Sequence, residues 1–586
     1  MSQNLEQKRH TLAHLMAKAI SDAYPHAKLT LGPAIDTGFY YDVDFSSGTT
    51  LNEESLKDIQ KAMKKLLNTW TTWKHLGVTP EEARTIFAGN QFKLEIIEEI
   101  AARSEAITLY TCGEGKSEFT DLCRGGHSEN PQKEIAPDSF KLDKIAGAYW
   151  RGSEKNPMLT RIYGLAFDTK EELETYQRQI EEAKKRDHRK LGKELDLFTF
   201  SDLVGSGMPL WTPKGNIVRN AIINYSRELN TKLGFGEVHT PNINKAELFK
   251  CSGHYDLYKD DMLSVKSQYV EDEMFMKPMN CPQHTQIYDS RPRSYRDLPI
   301  RYSDFANLYR DERPGELSGL TRLRAFAQDD GHIFCREAQV HDEIVAVLGT
   351  IKQALKTYSV DYWIRLSLRD PENKEEYLGD DQTWERSEKE LLDIVEEAGV
   401  NFKPVTGEAA FYGPKLDIMA VDALGREWQI STVQVDRTLP ERFDLTCTNE
   451  KGEKERIVMI HRALIGSPDR FLGILIEHYG GNFPLWLAPE QVRVIPVAET
   501  HSDYAKTIYE GLKAIGIRVS FDDGDDGMGK KIRGAKVDRL PYFIVVGDKE
   551  VEAKNITVES RDGSSKQTTL NEFGNHLLVE IETKKI

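Results

Sequence analysis

The chain has 586 residues, 39% apolar and 29% charged, which is too long for one hydrophobic core and predicts roughly three to five domains. It has no run of about 18 apolar residues, and its polar opening MSQNLEQKRHTLAHLM lacks the apolar stretch of a secretory signal, so neither a membrane span nor export is expected. The net charge of −16 excludes a globally basic nucleic-acid binder, leaving local surfaces for any RNA contact. The six cysteines are scattered without a CxxC, which excludes a disulfide scaffold and points to a reducing, cytoplasmic setting.

The first segment, to about residue 168, mixes a short helix with β-like runs such as GPAIDTGFYYDVDF. His10 and His14 stand at i, i+4 on the predicted helix, so both rings leave one face. Cys123 and His127 lie in FTDLCRGGH. An HxxxH with a CxxxH reads as four zinc ligands; the alternative is two unrelated pairs, one of them packing within a helix. A charged helix follows, predicted as one piece from roughly Asp168 to Phe198. Its basic end, with Lys184, Lys185, Arg186, Arg189, Lys190 and Lys193, reads as a solvated linker favoured by the helix dipole, with an RNA contact as the alternative.

From Gly207 the pattern turns αβ. Val218, Ile222, Tyr225, Leu229 and Leu233 recur at helical spacing, and the helix runs into GFGEVHTP, where Val238 is expected to begin a strand ended by Pro241. Residues to about Phe483 alternate short β-rich runs with hairpin loops, as in a mostly antiparallel sheet. Within them, FANLYRDERPGELSGLTRLRAFAQDDGHIF puts Arg310 and Glu312 at the end of one strand and Arg322, Arg324 and Phe326 at the start of the next. Two arginines facing across a hairpin beside an aromatic suit a nucleoside triphosphate, the guanidinium forks on oxygens and the ring on a purine. A surface hairpin whose charges pair with each other is the alternative. The last hundred residues read as strand, helix, strand, helix, strand, a small separately folded α/β domain.

Three pieces line up in order. GFGEVHTP resembles motif 1 of the class II aminoacyl-tRNA synthetases, YRDE with RLRAF resembles motif 2, and IGSPDRF, with Arg470 opening a helix, resembles motif 3. With MNCPQH, AQDDGHIF, FYGPK, WQISTVQVD and MIHRALIGS between and after them, the chain from His10 onward resembles the threonyl-tRNA synthetases. The resemblance implies an α+β multidomain protein. Its core would be a six-stranded antiparallel sheet, with an α+β editing domain before it and an α/β anticodon-binding domain after it. The implied boundaries are 1–168 for editing, 169–196 for the linker helix, 197–486 for catalysis and 487–586 for the anticodon. It implies ligation of L-threonine to tRNA(Thr) through an adenylate, with ATP and Mg²⁺, in a homodimer formed through motif 1. A paralogue that binds RNA or edits without ligating is the alternative.

By the same resemblance, Arg310 bridges the amino-acid carboxylate and the α-phosphate, Arg322 and Arg470 hold the γ-phosphate end, Phe326 stacks on adenine and Glu312 positions the nucleotide. Cys281, His332 and His461 are too far apart in sequence for spacing to propose a metal site, and singly each reads as a buried thiol or a packed histidine. The family match makes them ligands of one zinc per chain, chelated by the amino and hydroxyl groups of threonine. Asp330 then accepts from the hydroxyl, Gln328, Tyr412 and Gln434 help bind the amino acid, and Gln429 lies nearby. Gln283 stands where the family has glycine.

Valine offers no second ligand, but serine does. Serine lacks only a methyl, worth about 1–3 kcal/mol of discrimination, so a hydrolytic site for seryl-tRNA is expected. The resemblance assigns it to His10, His14, Cys123 and His127, with Asp121 and Lys93 as further members and metal left open. The usual CRGPH is CRGGH here. By the resemblance, the chain is expected to begin directly at this domain, without the ubiquitin-like domain many relatives carry. In the C-terminal domain Arg533 and Glu550 are the base-reading candidates, beside the acidic DDGDDGMG and Glu559, where the family favours a basic residue.

Overall fold

A computed structural model describes residues 3–45 and 48–586 of the chain. It divides into two compact units, one ending at Glu181 and one beginning at Glu182.

The first unit is built on the helix Gln3–Ala23, whose residues from Leu12 to Ile20 are almost all buried. It packs with the helix Glu53–Leu67 on a five-stranded sheet that includes Gly38–Asp44, Phe140–Tyr149 and Met158–Ala166. The Glu53–Leu67 helix begins at a capping box of Asn52 and Ser55 and buries Leu56, Ile59, Met63 and Leu67, the i, i+3/i+4 stripe of an amphipathic helix. A second sheet has three antiparallel strands, Trp73–Val78, Ile107–Cys112 and Phe119–Leu122. The last of these delivers the chain to Cys123.

The linker is two helices, Lys170–Arg186 and His188–Glu194, rather than the single one expected. Asp187 breaks it: its backbone leaves the helical region and its carboxylate accepts from the Arg189 amide at 2.8 Å, capping the second helix. Two of the basic residues pair with acids on the same helices, Lys185 with Glu182 and Lys190 with Glu194.

The central sheet of the second unit has eight strands in the order Gly236–Glu237, Ile300–Asp304, Asp330–Cys335, Val458–Ala463, Glu427–Asp436, Lys415–Val421, Asp361–Leu368, Phe402–Thr406. The inner six pair antiparallel, as the class II resemblance implies, and each edge adds one parallel strand. The helices Pro213–Lys232, Val340–Thr357 and Pro468–His478 cover the sheet and close the largest apolar core. The motif 1 strand lies earlier than expected, at Gly236–Glu237; Val238 is outside it, although its amide still donates to Ser303 O at 2.8 Å. The C-terminal module follows the predicted β-α-β-α-β order, from Val492–Pro496 to Tyr542–Val546. Two antiparallel strands, Ile556–Ser560 and Ser565–Thr568, and the helix Leu570–Glu582 complete it beyond the predicted elements.

Candidate catalytic and hydrolytic sites

The sheet opens on a cavity of about 550 Å³. Arg310, Glu312, Arg322, Phe326, Gln328, Gln429, Gln434 and Arg470 all line it, so eight residues proposed from sequence share one space. The short strands Asn307–Tyr309 and Ala325–Ala327 pair as a hairpin and bring Arg310 and Phe326 together, with the guanidinium 5.3 Å from the ring centre. Burial holds the Arg310 and Arg470 pKa values below the ordinary arginine value, though both groups stay cationic. The Arg470 Nε is buried with no partner among the described residues, a donor suited to an anion. Arg322 is half exposed and paired on its own loop, Nε to Glu312 at 2.7 Å and a terminal nitrogen to Glu316 at 3.0 Å. The charge pairing of a surface hairpin is therefore present on the same element that lines the cavity with Arg310, Arg322 and Phe326.

One wall of the cavity is organised by a carboxylate buried completely beneath it. Asp417 accepts from Gln429 at 2.8 Å, Thr432 at 3.0 Å, Ser367 at 2.8 Å and Arg365 at 3.0 Å, with Lys415 at 2.9 Å. Arg365 also donates to the Gln429 carbonyl, which fixes that amide's orientation.

Beside the cavity stand Cys281, His332 and His461, all buried, with one ligand atom from each within 4.8 Å of the others. Sheet register creates the pair of histidines: His332 and His461 lie directly opposite on neighbouring antiparallel strands, and their Nε2 and Nδ1 face each other at 3.1 Å. Cys281 opens the helix Cys281–Asp289. The outward nitrogens are held from behind, His461 Nε2 by Asp436 at 2.8 Å and His332 Nδ1 by His284 at 2.7 Å. Inward-facing ligand atoms with their outer partners in place are how metal-binding histidines are oriented, so the residues fit a zinc ion. Burial keeps the His332 ring neutral and raises the Cys281 thiol, with Asp330 and Asp436 adding to the latter. Asp330 is buried, accepts from Asn280 at 3.0 Å, and lies 3.8 Å from His332. Tyr412 stacks on His461 and donates its hydroxyl to Gln434.

In the first unit, His10, His14, Cys123 and His127 form a second cluster with ligand atoms within 4.8 Å. Cys123 Sγ lies 3.5 Å from His10 and 3.3 Å from His127, and His14 is 3.2 Å from His10. Asp121 sits behind them, 3.4 Å from His14 Nδ1, 2.5 Å from Lys93 Nζ and 2.6 Å from the Tyr41 hydroxyl. Burial opposes charge here, yet the surrounding histidines bring the Cys123 pKa down to about 3. Asp121 and Cys123 likewise overcome burial to raise His14 to about 9. Burial lowers His127 to about 4. The cluster therefore carries a thiolate and an imidazolium side by side at neutral pH. Alkylation of Cys123 by iodoacetamide is expected to keep the same rate between about pH 8 and about pH 5, where an ordinary thiol slows roughly tenfold per pH unit below its pKa. Mass spectrometry of the Cys123 peptide reads this, and an ordinary slope would refute the ion pair. At Gly126 the backbone has φ +81°, a left-handed conformation closed to the proline of the usual motif, and its carbonyl meets His10 at 3.3 Å.

Residues 258–479 match the family described as tRNA synthetase class II core domain (G, H, P, S and T), and residues 491–578 match the anticodon binding domain family. The threonine–tRNA ligase of Deinococcus radiodurans is 46% identical over 563 residues, covering 95% of this chain and 85% of that protein. The chain belongs to the threonine–tRNA ligase family. Its relative in Thermus thermophilus is 45% identical over 565 residues, covering 94% of this chain and 85% of its own. Among solved structures, the RNA binding domain of threonyl-tRNA synthetase from Cryptosporidium parvum Iowa II superposes with a TM-score of 0.64 at 37% identity, covering 67% of this chain and 98% of that one.

Within this threonine–tRNA ligase family member, the anticodon candidates are the least built. Arg533 is exposed on the helix Met528–Val537. Glu550 is engaged inside its own domain, accepting from the Gly547 amide at 2.9 Å and from Thr557 at 2.6 Å. Sequence reasoning missed several residues at the other two sites. His254 lies 3.7 Å from Cys281 Sγ and 5.4 Å edge-on to Phe411, with its pKa pushed to about 3 by burial and then by His461 and Arg310. Trp73 stacks on His127 at 3.8 Å. His284 and Asp436 had a readable signal: one is a helical turn from Cys281, the other two residues from Gln434 on the same strand face. His254 and Trp73 had none.

Proposed function

We propose that the chain joins threonine to tRNA(Thr) in two steps at the central cavity and clears seryl-tRNA at the cluster in the first unit. The observation that carries the ligase reading is the single cavity shared by the motif 2 and motif 3 side chains, next to Cys281, His332 and His461. In the first step a carboxylate oxygen of threonine attacks the α-phosphorus of ATP, and pyrophosphate leaves with the bond between the α- and β-phosphates. In the second a ribose hydroxyl at the tRNA end attacks the carbonyl and AMP leaves. Arg310 stabilises the charge gathered on the α-phosphate, Arg322 and Arg470 hold the far phosphates, Glu312 positions the nucleotide and Phe326 covers adenine. Mg²⁺ accompanies ATP, as in the family.

Cys281, His332 and His461 would hold zinc. When bound, it supplies a Lewis-acidic centre with open positions for an amino and a hydroxyl group. Asp330 accepts from that hydroxyl, and Gln328, Tyr412, Gln429 and Gln434 close on the amino acid. Isosteric valine is rejected because the polar groups facing it stay unpaired.

The remaining assignments follow the same reading. Residues 1–168 form the editing domain, 169–196 the linker, 197–486 the catalytic domain and 487–586 the anticodon-binding domain. His10, His14, Lys93, Asp121, Cys123 and His127 serve editing, and Arg533 and Glu550 belong to the anticodon-reading domain as its base-reading candidates. A homodimer through motif 1 follows the same reading, and exposed apolar Ile243 lies shortly beyond that segment. No described helix is long and apolar enough to cross a membrane. Nothing in the comparisons supports the non-ligating alternative, and Arg310, Arg322 and Arg470 are all in place.

The deciding experiment is amino-acid-dependent ATP–pyrophosphate exchange with zinc quantified on the same sample. Exchange is expected with threonine, more weakly with serine, and not with valine or proline, at about one zinc per chain. Absence of exchange from zinc-loaded, folded protein would overturn the ligase reading.

A further inference from the structure

We propose that His188 is a positioning residue for the nucleotide pocket, pinning the tip of the motif 2 loop to the helix that carries Arg470. The proposal rests on reading the central cavity as the ATP site, but His188 and Glu477 themselves lie outside its lining. His188 begins the second linker helix and is buried. Its Nδ1 meets Glu477 Oε1 at 2.6 Å, and the same oxygen accepts the His188 backbone amide at 3.0 Å. Its Nε2 accepts the Leu320 amide at 2.9 Å. A carboxylate on one side and an N–H donor on the other fix one neutral tautomer, protonated on Nδ1.

Each end of this relay belongs to the pocket's framework. Glu477 lies near the end of the helix Pro468–His478, which presents Arg470 from its first turn. Leu320 sits at the tip of a tight turn closed by the pairing of Ser318 with Arg322, and Leu320, Thr321, Arg322 and Leu323 all line the cavity. Two glycines make the approach possible. Gly319 has φ +49°, and a Cβ there would lie 2.2 Å from His188 Nε2. A Cβ at Gly473, on the Arg470 helix, would lie 3.1 Å from Leu320 Cβ. The turn, the imidazole and the helix are thus packed as one block, and Arg322 leaves the turn two residues beyond the pinned amide.

Without the acceptor at Nε2, the buried Leu320 amide loses its partner and the turn populates other positions, so only a fraction of molecules presents Arg322 to the phosphates. The apparent ATP affinity then falls by that fraction, while threonine, assigned above to Gln328, Tyr412 and Gln434 and not to this turn, is unaffected.

Two isosteric substitutions separate the roles of the two nitrogens. His188→Gln sets an amide oxygen near the Nε2 position and keeps the Leu320 contact. His188→Asn keeps a donor toward Glu477 but loses that acceptor. In threonine-dependent ATP–pyrophosphate exchange, His188→Asn is expected to raise KM for ATP about tenfold, with kcat within about twofold and KM for threonine unchanged, and His188→Gln to stay within about threefold of wild type. If His188→Asn does not fold, Gly319→Ala moves the same tip from the other side and is expected to give the same ATP-selective change. Equal effects of Asn and Gln, or losses that follow melting temperature with no difference between ATP and threonine, would overturn the proposal and leave the ATP reading standing. A wild-type chain without exchange would instead overturn the reading of the pocket, and the clamp with it.

Discussion

Cys281→Ser is expected to strip zinc from the chain and remove threonine activation in the same step. The substitution is small and Cys281 is buried at the start of its helix, so the fold is not the target. The change is in the ligand set. A serine hydroxyl is a weak zinc ligand at neutral pH, and two histidines remain of three ligands. Protein zinc sites are held by about 10–16 kcal/mol, so forfeiting roughly a third of that costs on the order of 300-fold or more in affinity. Zinc measured after dialysis against a weak chelator should drop from about one per chain to a trace. Threonine-dependent exchange should fall below about a hundredth of wild type, because the hydroxyl and amino groups lose the centre that distinguishes them from a methyl. Because the two histidines face each other at 3.1 Å and keep their outer partners, near-UV circular dichroism should change little. Retained zinc with full activity would remove Cys281 from the ligand set.

The second large effect is expected in the first unit. His14→Ala takes away the imidazolium that stands between Asp121 and Cys123. Exchange with threonine should remain within about twofold of wild type, since the catalytic machinery is untouched, whereas hydrolysis of preformed seryl-tRNA should slow about 10²- to 10⁴-fold, the range for losing a positioned acid or base. Seryl-tRNA should then accumulate in a charging assay supplied with serine. Undiminished clearance would sink the assignment of this cluster to editing. The loss also leaves Asp121 facing Lys93 and Tyr41 alone, so a Lys93 substitution should not add its full effect to that of His14.

Much of this was legible before any coordinates. The ordered motifs carried the resemblance that implied the antiparallel sheet and the eight side chains sharing its cavity, while the hairpin pattern by itself joined only Arg310, Glu312, Arg322 and Phe326 of them. The proposed zinc ligands were not legible from spacing: His332 and His461 meet only through the register of two strands distant in sequence, and register is a property of the assembled sheet. The break in the linker is hidden from the sequence for a related reason. Its sequence is helical throughout by propensity, and the break at Asp187 is fixed by contacts of Arg186 and His188 with residues near 478 that no local window contains. The short Gly236–Glu237 strand was placed late because β-branched Val238 favours extended backbone, whereas ladder pairing with Ile300–Asp304 decides where a strand counts as one.

The carboxylate beneath the cavity wall has a consequence for how this wall can change over generations. Gln429, Thr432, Lys415 and Arg365 do not hold their positions independently; each leans on Asp417, which is wholly shielded from water. A substitution at any one of them alters the charge balance and donor count felt by the other three. Variation along this wall is therefore constrained to arrive in compensating sets, and a lone exchange between two otherwise tolerated amino acids carries a penalty that its own side chain does not explain.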